Sequence, residues 1–379
     1  MSNTLYDHLL APHADNPAPF LKRDDHAPIS YSQFVASAAQ LAHVLSNAGL
    51  KPGDRVVAQA DKSVQMVMLY AATFQAGGVF LPLNTAYQRD EVAYFVEDAK
   101  PKLVICDPAK SDDLANIAQA HGAQILTLDA QGQGSLMQSV PDQPTRFSTV
   151  PRGPEDLAAL LYTSGTTGRS KGAMLSHANL LTNTQALLEL WGITEQDTLI
   201  HALPIFHTHG LFVALNTSLL AGACVQFMPS FNLDAIFAAL PNATTMMGVP
   251  TFYTRMLGDE RLSRESTANM RLFVSGSAPL LAETHESFTA RTGHRILERY
   301  GMTETNMNTS NPLEGERRAG TVGQPLPGVE VIVADPETGE ALPKGEVGMI
   351  EVRGPNVFQG YWQMPEKTKA ELRPSGFFI

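Results

Sequence analysis

Leu161–His177 reads LYTSGTTGRSKGAMLSH. The apolar run Ala158–Tyr162 is expected to be a strand. Thr163, Ser164, Gly165, Thr166, Thr167 and Gly168 follow, then Arg169, Lys171 and a helix with Ser176 as its cap. A Walker-type phosphate loop needs Lys directly after its second Gly. Here Lys171 follows Ser170, so that pattern fails. The two glycines still let backbone N–H groups turn inward, and the hydroxyls add donors, as in an anion nest. Runs of Ser, Thr and Gly also occur as plain surface loops. Composition leaves both readings open.

Strands and helices alternate on either side of this stretch. Upstream, Arg55–Ala60, Val79–Leu83 and Leu103–Asp107 are expected strands; Lys62–Ala76 and Asp90–Asp98 are expected helices. Ser32–Asn47 places Phe34, Ala38, Leu41 and Leu45 on one face, with Ser32 as its cap and Gly49 as its stop. Downstream, AALLYT, LIHALP, CVQFM, TTMMGVP, RLFVSGS and RILERYG alternate with helical stretches. Alternation of this length implies layered α/β structure over residues 1–322. From about Gly323 the chain becomes rich in Gly, Pro and β-branched residues. Residues 323–379 are expected to form a small, β-barrel-like subdomain.

The bulk numbers agree with a globular enzyme. The chain has 379 residues, 44% hydrophobic and 17% charged. That is long enough for more than one subdomain. The net charge of −11 argues against nucleic acid or an anionic membrane as partner. Any anionic substrate must then be held by local cations. Cys106 and Cys224 form no CxxC pattern and read as buried thiols in a reducing, cytoplasmic setting. The N-terminus lacks the basic start and long apolar core of a secretory signal. Thr198–Asn232 carries no Asp, Glu, Lys or Arg, but Pro204 and three His interrupt it. It reads as a buried strand–loop–helix–strand rather than a membrane span.

A second constellation is LERYGMTETN, Leu297–Asn306. Tyr300 can stack on a base, Thr303 can donate to a phosphate oxygen, and Glu304 is a hard oxygen ligand suited to Mg²⁺ beside phosphates. The plainer alternative is a strand end with a Gly turn and a solvated Glu304.

YTSGTTGRSKG, YGMTE and GYW, in that order, resemble the signatures of the adenylate-forming superfamily of acyl-CoA synthetases, adenylation domains and luciferases. Within it, HALPIFHTHGLF, GVPTFYTRML, LFVSGSAPL and ERYGMTETNMNTSNP resemble the malonyl-CoA and methylmalonyl-CoA synthetase branch. The resemblance implies two half-reactions. A carboxylate first attacks the α-phosphorus of MgATP and pyrophosphate leaves. The thiol of coenzyme A then attacks the acyl carbon and AMP leaves. It implies that Thr163–Gly168 and Lys171 hold the β and γ phosphates, that Glu304 holds Mg²⁺, and that Thr303 touches the α-phosphate. Gly276, Ser277 and Ala278 with Glu298, Arg299, Tyr300, Gly301 and Met302 would line the adenine pocket. His207 would lie beside the acyl carboxylate, while His209 stays a structural residue.

Arg299 bears on the substrate. A guanidinium beside the nucleotide serves a dicarboxylate, whose second carboxylate needs a cation. A charge-assisted hydrogen bond of this kind contributes about 1.5–3 kcal/mol. Pairing with Glu298 or Glu304 is the structural alternative, with Glu298 disfavoured because strand neighbours face opposite sides. Arg255 is a second candidate cation, and Ser277 a candidate donor to the distal carboxylate. The resemblance further implies a Thr-Gly-Asp after GFFI, a hinge, and a small C-terminal domain with a catalytic Lys. The sequence ends at Ile379 without them, and Lys171 is not that Lys. The expectation is the large N-terminal portion of such a ligase, with weakened nucleotide binding and little complete turnover. A short-chain monocarboxylate–CoA ligase and an ATP-binding module without catalysis are the alternatives.

Overall fold

Our computed structural model describes residues 2–24, 26–163 and 169–379. Ser164, Gly165, Thr166, Thr167 and Gly168 lie outside the described residues. Among the described residues the named strands form sheets of six, nine and two strands.

The six-stranded sheet runs, in spatial order, Gln124–Thr127, Leu103–Cys106, Arg55–Gln59, Val79–Pro82, Leu157–Thr163 and Lys171–Ser176. Its pairs are parallel except the last. Every residue of Leu103–Cys106 and of Val79–Pro82 is buried. Strands covered on both faces read as continuous apolar runs, which is why these segments stood out.

The nine-stranded sheet runs Gln324–Pro325, Asn306–Ser310, Leu297–Met302, Leu272–Ser275, Thr245–Gly248, Thr198–His201, Cys224–Phe227, Pro19–Arg23 and His26–Ser30. Its centre is parallel and both ends are antiparallel. The uncharged stretch from Thr198 folds as strand, loop, helical segment and strand. No described helix is long and apolar enough to cross a membrane.

Two helix starts differ from expectation. The helix Tyr31–Asn47 is capped by Ser30, not Ser32. Ser30 accepts from the Gln33 N–H while the Gln33 side chain accepts from the Ser30 N–H, a reciprocal capping box. The shift buries Tyr31, whose hydroxyl donates to a core carbonyl at Ser218 or Ala223. The helix expected from Lys62 begins at Val64, because Ser63 caps it through the Met66 N–H. Lys62 is left in the loop before it.

Near the C-terminus Glu330–Ala334 pairs antiparallel with Met349–Arg353. The flanking segments add isolated bridges, Ala334 to Ala341 and Val352 to Phe378. Pro336 and Pro343 have no N–H to give a ladder, and among the described residues no barrel closes. The helix Pro365–Glu371 follows, and Phe378 folds back against Phe358 with ring centroids 5.0 Å apart.

Candidate functional site

Leu157–Thr163 and Lys171–Ser176 form an antiparallel hairpin with Thr163 opposite Lys171. Lys171 therefore sits on a strand, not on a loop entering a helix. The helix His177–Trp191 starts immediately afterwards, capped reciprocally by Ser176 and Asn179. Thr163 and Lys171 both open onto a cavity of about 780 Å³.

The opposite wall comes from the carboxyl ends of neighbouring strands in the nine-stranded sheet, where open α/β sheets bind ligands. The loop after Thr198–His201 supplies His207, Thr208 and His209. Val249 follows Thr245–Gly248, Ser277 follows Leu272–Ser275, and Leu297–Met302 leads into Thr303 and Glu304.

At one end of the cavity charged groups converge. Lys171 Nζ lies 3.1 Å from Glu371 Oε2 and 3.1 Å from the Tyr361 hydroxyl, over whose ring it stands at 4.2 Å. The Tyr361 oxygen lies 2.5 Å from Glu371 Oε2 and 3.1 Å from Glu304 Oε1. A phenol has one proton and carboxylates only accept. At these distances the proton goes to Glu371. Glu304, buried, keeps only the Thr163 hydroxyl at 3.4 Å among the described residues. Burial and the two carboxylates raise the Tyr361 phenol far above its usual range. Glu371 stays below the usual carboxylate range because Lys367, Tyr361 and Lys171 outweigh its own burial.

The other end holds one cation. Arg299 is 4% exposed, and its Nε and Nη2 have no partner among the described residues. Burial pulls the guanidinium down to about 9. The Glu298 carboxylate faces elsewhere, within 3.1 Å of His285 Nδ1 and of the Gly320 N–H, and Arg299 pairs with neither Glu298 nor Glu304. The guanidinium lies across Gly276, where a Cβ would come within 2.3 Å of Cζ. Ser277 holds φ at +70°, a left-handed conformation that costs a non-Gly residue about 1–3 kcal/mol and concentrates at functional sites. Its hydroxyl is 3.3 Å from His209 Nδ1.

His209 is buried, and burial together with Arg299 holds its pKa well below the usual value. His207 is the more exposed of the two at the cavity wall, and partial burial lowers its pKa too.

A smaller cavity of about 350 Å³ shares Ser277, Arg299 and Gly301 with the first and adds Ala278, Glu298 and Tyr300. Most of the expected residues are thus brought together. Thr163, Lys171, His207, Ser277, Arg299, Gly301, Met302, Thr303 and Glu304 line the large cavity; Ala278, Glu298 and Tyr300 line the small one. Gly276 packs beneath Arg299 rather than lining either. Arg255 does not reach the site. It is exposed, with its guanidinium 4.5 Å from the Phe231 ring centroid, because its helix turns that face outward.

Three residues of the site were not anticipated. His209 sits two residues from His207 on an uncharged stretch and carried no distinguishing signal. Tyr361 lay within the GYW motif without an assigned role. Glu371 belongs to a charged helix, PEKTKAE, that reads as a solvated surface.

The family model described as AMP-binding enzyme matches residues 8–362. The chain is 32% identical over 391 residues to the malonate–CoA ligase of Arabidopsis thaliana, covering 93% of this chain and 64% of that protein. ATP-bound MatB from Rhodopseudomonas palustris matches with a TM-score of 0.98 and 56% identity, over 100% of this chain and 75% of that one. A malonyl-CoA ligase ternary product complex with methylmalonyl-CoA and AMP bound matches with a TM-score of 0.82 and 34% identity, over 98% and 76%. The chain spans about two thirds of the length of the curated relatives it matches.

Proposed function

The chain belongs to the AMP-binding enzyme family, and on that premise we propose that its cavity activates malonate or methylmalonate with MgATP and passes the acyl group to coenzyme A. The observation that carries the reading is the buried Arg299 with two unpartnered nitrogens. A buried guanidinium without a counter-ion is costly. A dicarboxylate lifts that cost by placing its distal carboxylate there, with Ser277 as a second donor. An acid lacking that carboxylate leaves the cost in place, so specificity comes from the relief that only a dicarboxylate brings. The curated and structural relatives named for malonate support the same assignment.

The geometry supports the following roles. The reactive carboxylate lies between Arg299 and the phosphate end, beside His207. One of its oxygens bonds to the α-phosphorus as the bond to the bridging oxygen breaks, and pyrophosphate leaves with that electron pair. In the second step the coenzyme A sulfur bonds to the acyl carbon, its proton is lost, and AMP departs. Thr303, on the cavity wall, would steady the α-phosphate. Thr163 and Lys171, with residues 164–168, hold the β and γ phosphates, and Ser277, Ala278 and Tyr300 contact adenine. The Glu298 carboxylate, already held by His285 and Gly320, serves as pocket wall.

Glu304 fits Mg²⁺: it is buried, lines the cavity and is short of donors among the described residues. Among the described residues no group of three or more His, Cys, Asp and Glu forms a cation cage. Mg²⁺ is commonly held by one or two carboxylates plus substrate phosphates and water, and it would neutralise phosphate charge during transfer.

ATP–pyrophosphate exchange by this chain, with malonate, methylmalonate, succinate and acetate compared, tests the assignment. Exchange with malonate or methylmalonate should exceed exchange with acetate by about a hundredfold in kcat/KM. Equal exchange with acetate would overturn it. Thioester formation, followed separately, reports the second step.

A further inference from the structure

Lys62 lies outside the site just described, half-buried and without a salt bridge among the described residues. Burial alone holds its pKa well below the usual value. Nζ instead donates to His201 Nδ1 at 2.8 Å and to the His201 carbonyl at 2.9 Å, with the Phe227 ring centroid 4.5 Å away. His201 Nε2 lies 2.8 Å from the Gly210 carbonyl.

This sandwich determines the state of the imidazole. An ammonium only donates and a carbonyl only accepts. Nδ1 must therefore accept from Lys62, and Nε2 must carry the proton given to Gly210. His201 is neutral and locked in one tautomer. Burial and the neighbouring Lys62, which pull its pKa down to about 3, act in the same sense.

The lock has a mechanical consequence. His201 ends its strand, and Gly210 lies in the first turn of the wide helical segment His209–Leu215. Their hydrogen bond ties together the two ends of the loop 202–209, which carries His207 and His209 into the large cavity. The loop base is already packed to contact: a Cβ on Gly210 would lie 2.0 Å from the Pro204 oxygen. Lys62 follows a strand of the six-stranded sheet, whereas His201 belongs to the nine-stranded one. The tie thus crosses from one sheet unit to the other.

We propose that Lys62 and His201 are positioning residues for the acid substrate. The ammonium holds the imidazole tautomer, the imidazole closes the loop 202–209, and the closed loop sets His207 and His209 against the acid-binding end of the cavity. The inference rests on the acid-binding reading of that end.

The test uses the whole chain with ¹⁵N-labelled histidine. In the wild type the His201 resonance should show one tautomer, protonated on Nε2. Lys62→Met, which keeps bulk but removes the donors, should lose that signature and shift the His207 and His209 resonances. Those of the exposed His8 and His26 should stay in place. In exchange assays Lys62→Met should raise the acid KM about tenfold and leave the ATP KM within about twofold. His201→Gln keeps an acceptor for Lys62 and a donor for Gly210. It should hold the acid KM within about threefold of wild type, and His201→Leu should not.

Unchanged His207 and His209 resonances in Lys62→Met, an equal rise in both KM values, or a His201→Gln variant as impaired as His201→Leu would each overturn the proposal. If Lys62→Met does not fold, the two His201 variants decide. If the wild type exchanges with no dicarboxylate, the functional reading fails, and the resonances alone decide whether the tie positions the loop.

Discussion

Lys171 and Glu371 form an ion pair, Nζ to Oε2 at 3.1 Å, at the end of the cavity assigned to the terminal phosphates. The pair is only partly screened by solvent, with side-chain exposures of 15% and 22%. Glu371 thus stands as an internal anion on Lys171, the lysine proposed to hold polyphosphate. Glu371→Gln removes the competing charge and keeps the hydrogen-bonding shape. Titration calorimetry should show inorganic pyrophosphate binding about three- to tenfold more tightly to the variant, with the difference shrinking as salt is raised. Weaker binding would mean that Glu371 holds Lys171 in its working position.

Arg299→Met replaces the buried cation with an apolar chain of similar length. Malonate-dependent exchange should fall by about a hundredfold or more in kcat/KM, and acetate-dependent exchange should change by less than about threefold. An equal loss with both acids would remove Arg299 from substrate choice.

The same cation sets a pH limit. Its pKa is lowered to about 9 from 12.5, so it is charged below that pH and loses its charge above it. The malonate KM should be flat to about pH 8 and then rise, approaching about tenfold per unit beyond pH 9, while the acetate KM stays flat. Stability moves the other way. The unfolded arginine keeps its proton up to its ordinary range, so the unfolded chain binds more protons through this window. The Arg299 contribution to stability therefore increases with pH. Parallel KM profiles for the two acids would refute the assignment.

Glu304→Gln leaves the Thr163 and Tyr361 contacts possible but removes the charge offered to a cation. The concentration of Mg²⁺ giving half-maximal exchange should rise about tenfold, with the malonate KM unchanged within about twofold. A shift confined to malonate would place Glu304 at the acid rather than the phosphates.

Legibility in the sequence followed the length scale of the interactions. Leu103–Cys106 was evident because parallel strands buried on both faces need unbroken apolar runs. Thr163, Glu304 and Arg299 were named through the family resemblance, since their residue types and spacing alone left plainer readings open. The hairpin that pairs Thr163 with Lys171 was not evident, since the turn chemistry suited a strand-to-helix loop equally well. Ser30 was passed over for Ser32 because both precede the apolar face by a few residues, and only the reciprocal bond with Gln33 separates them. Glu371 and Lys62 were out of reach for a different reason. Their partners, Lys171 and His201, stand far along the chain, and nothing in PEKTKAE or DKSVQ distinguishes a carboxylate or ammonium turned inward from one left in solvent.

Gly276 constrains how this pocket can change over generations. Its missing side chain is the space that the Arg299 guanidinium occupies. A Gly276→Ala step taken first would overpack the site, at a cost of about 1–3 kcal/mol. The same step taken after Arg299 has been shortened would lose its three nearest contacts, all of which are guanidinium atoms. A lineage moving from charged to uncharged acids must therefore alter position 299 before position 276, or both together. The order of substitutions in this pocket is directional, because one residue exists in the space another leaves vacant.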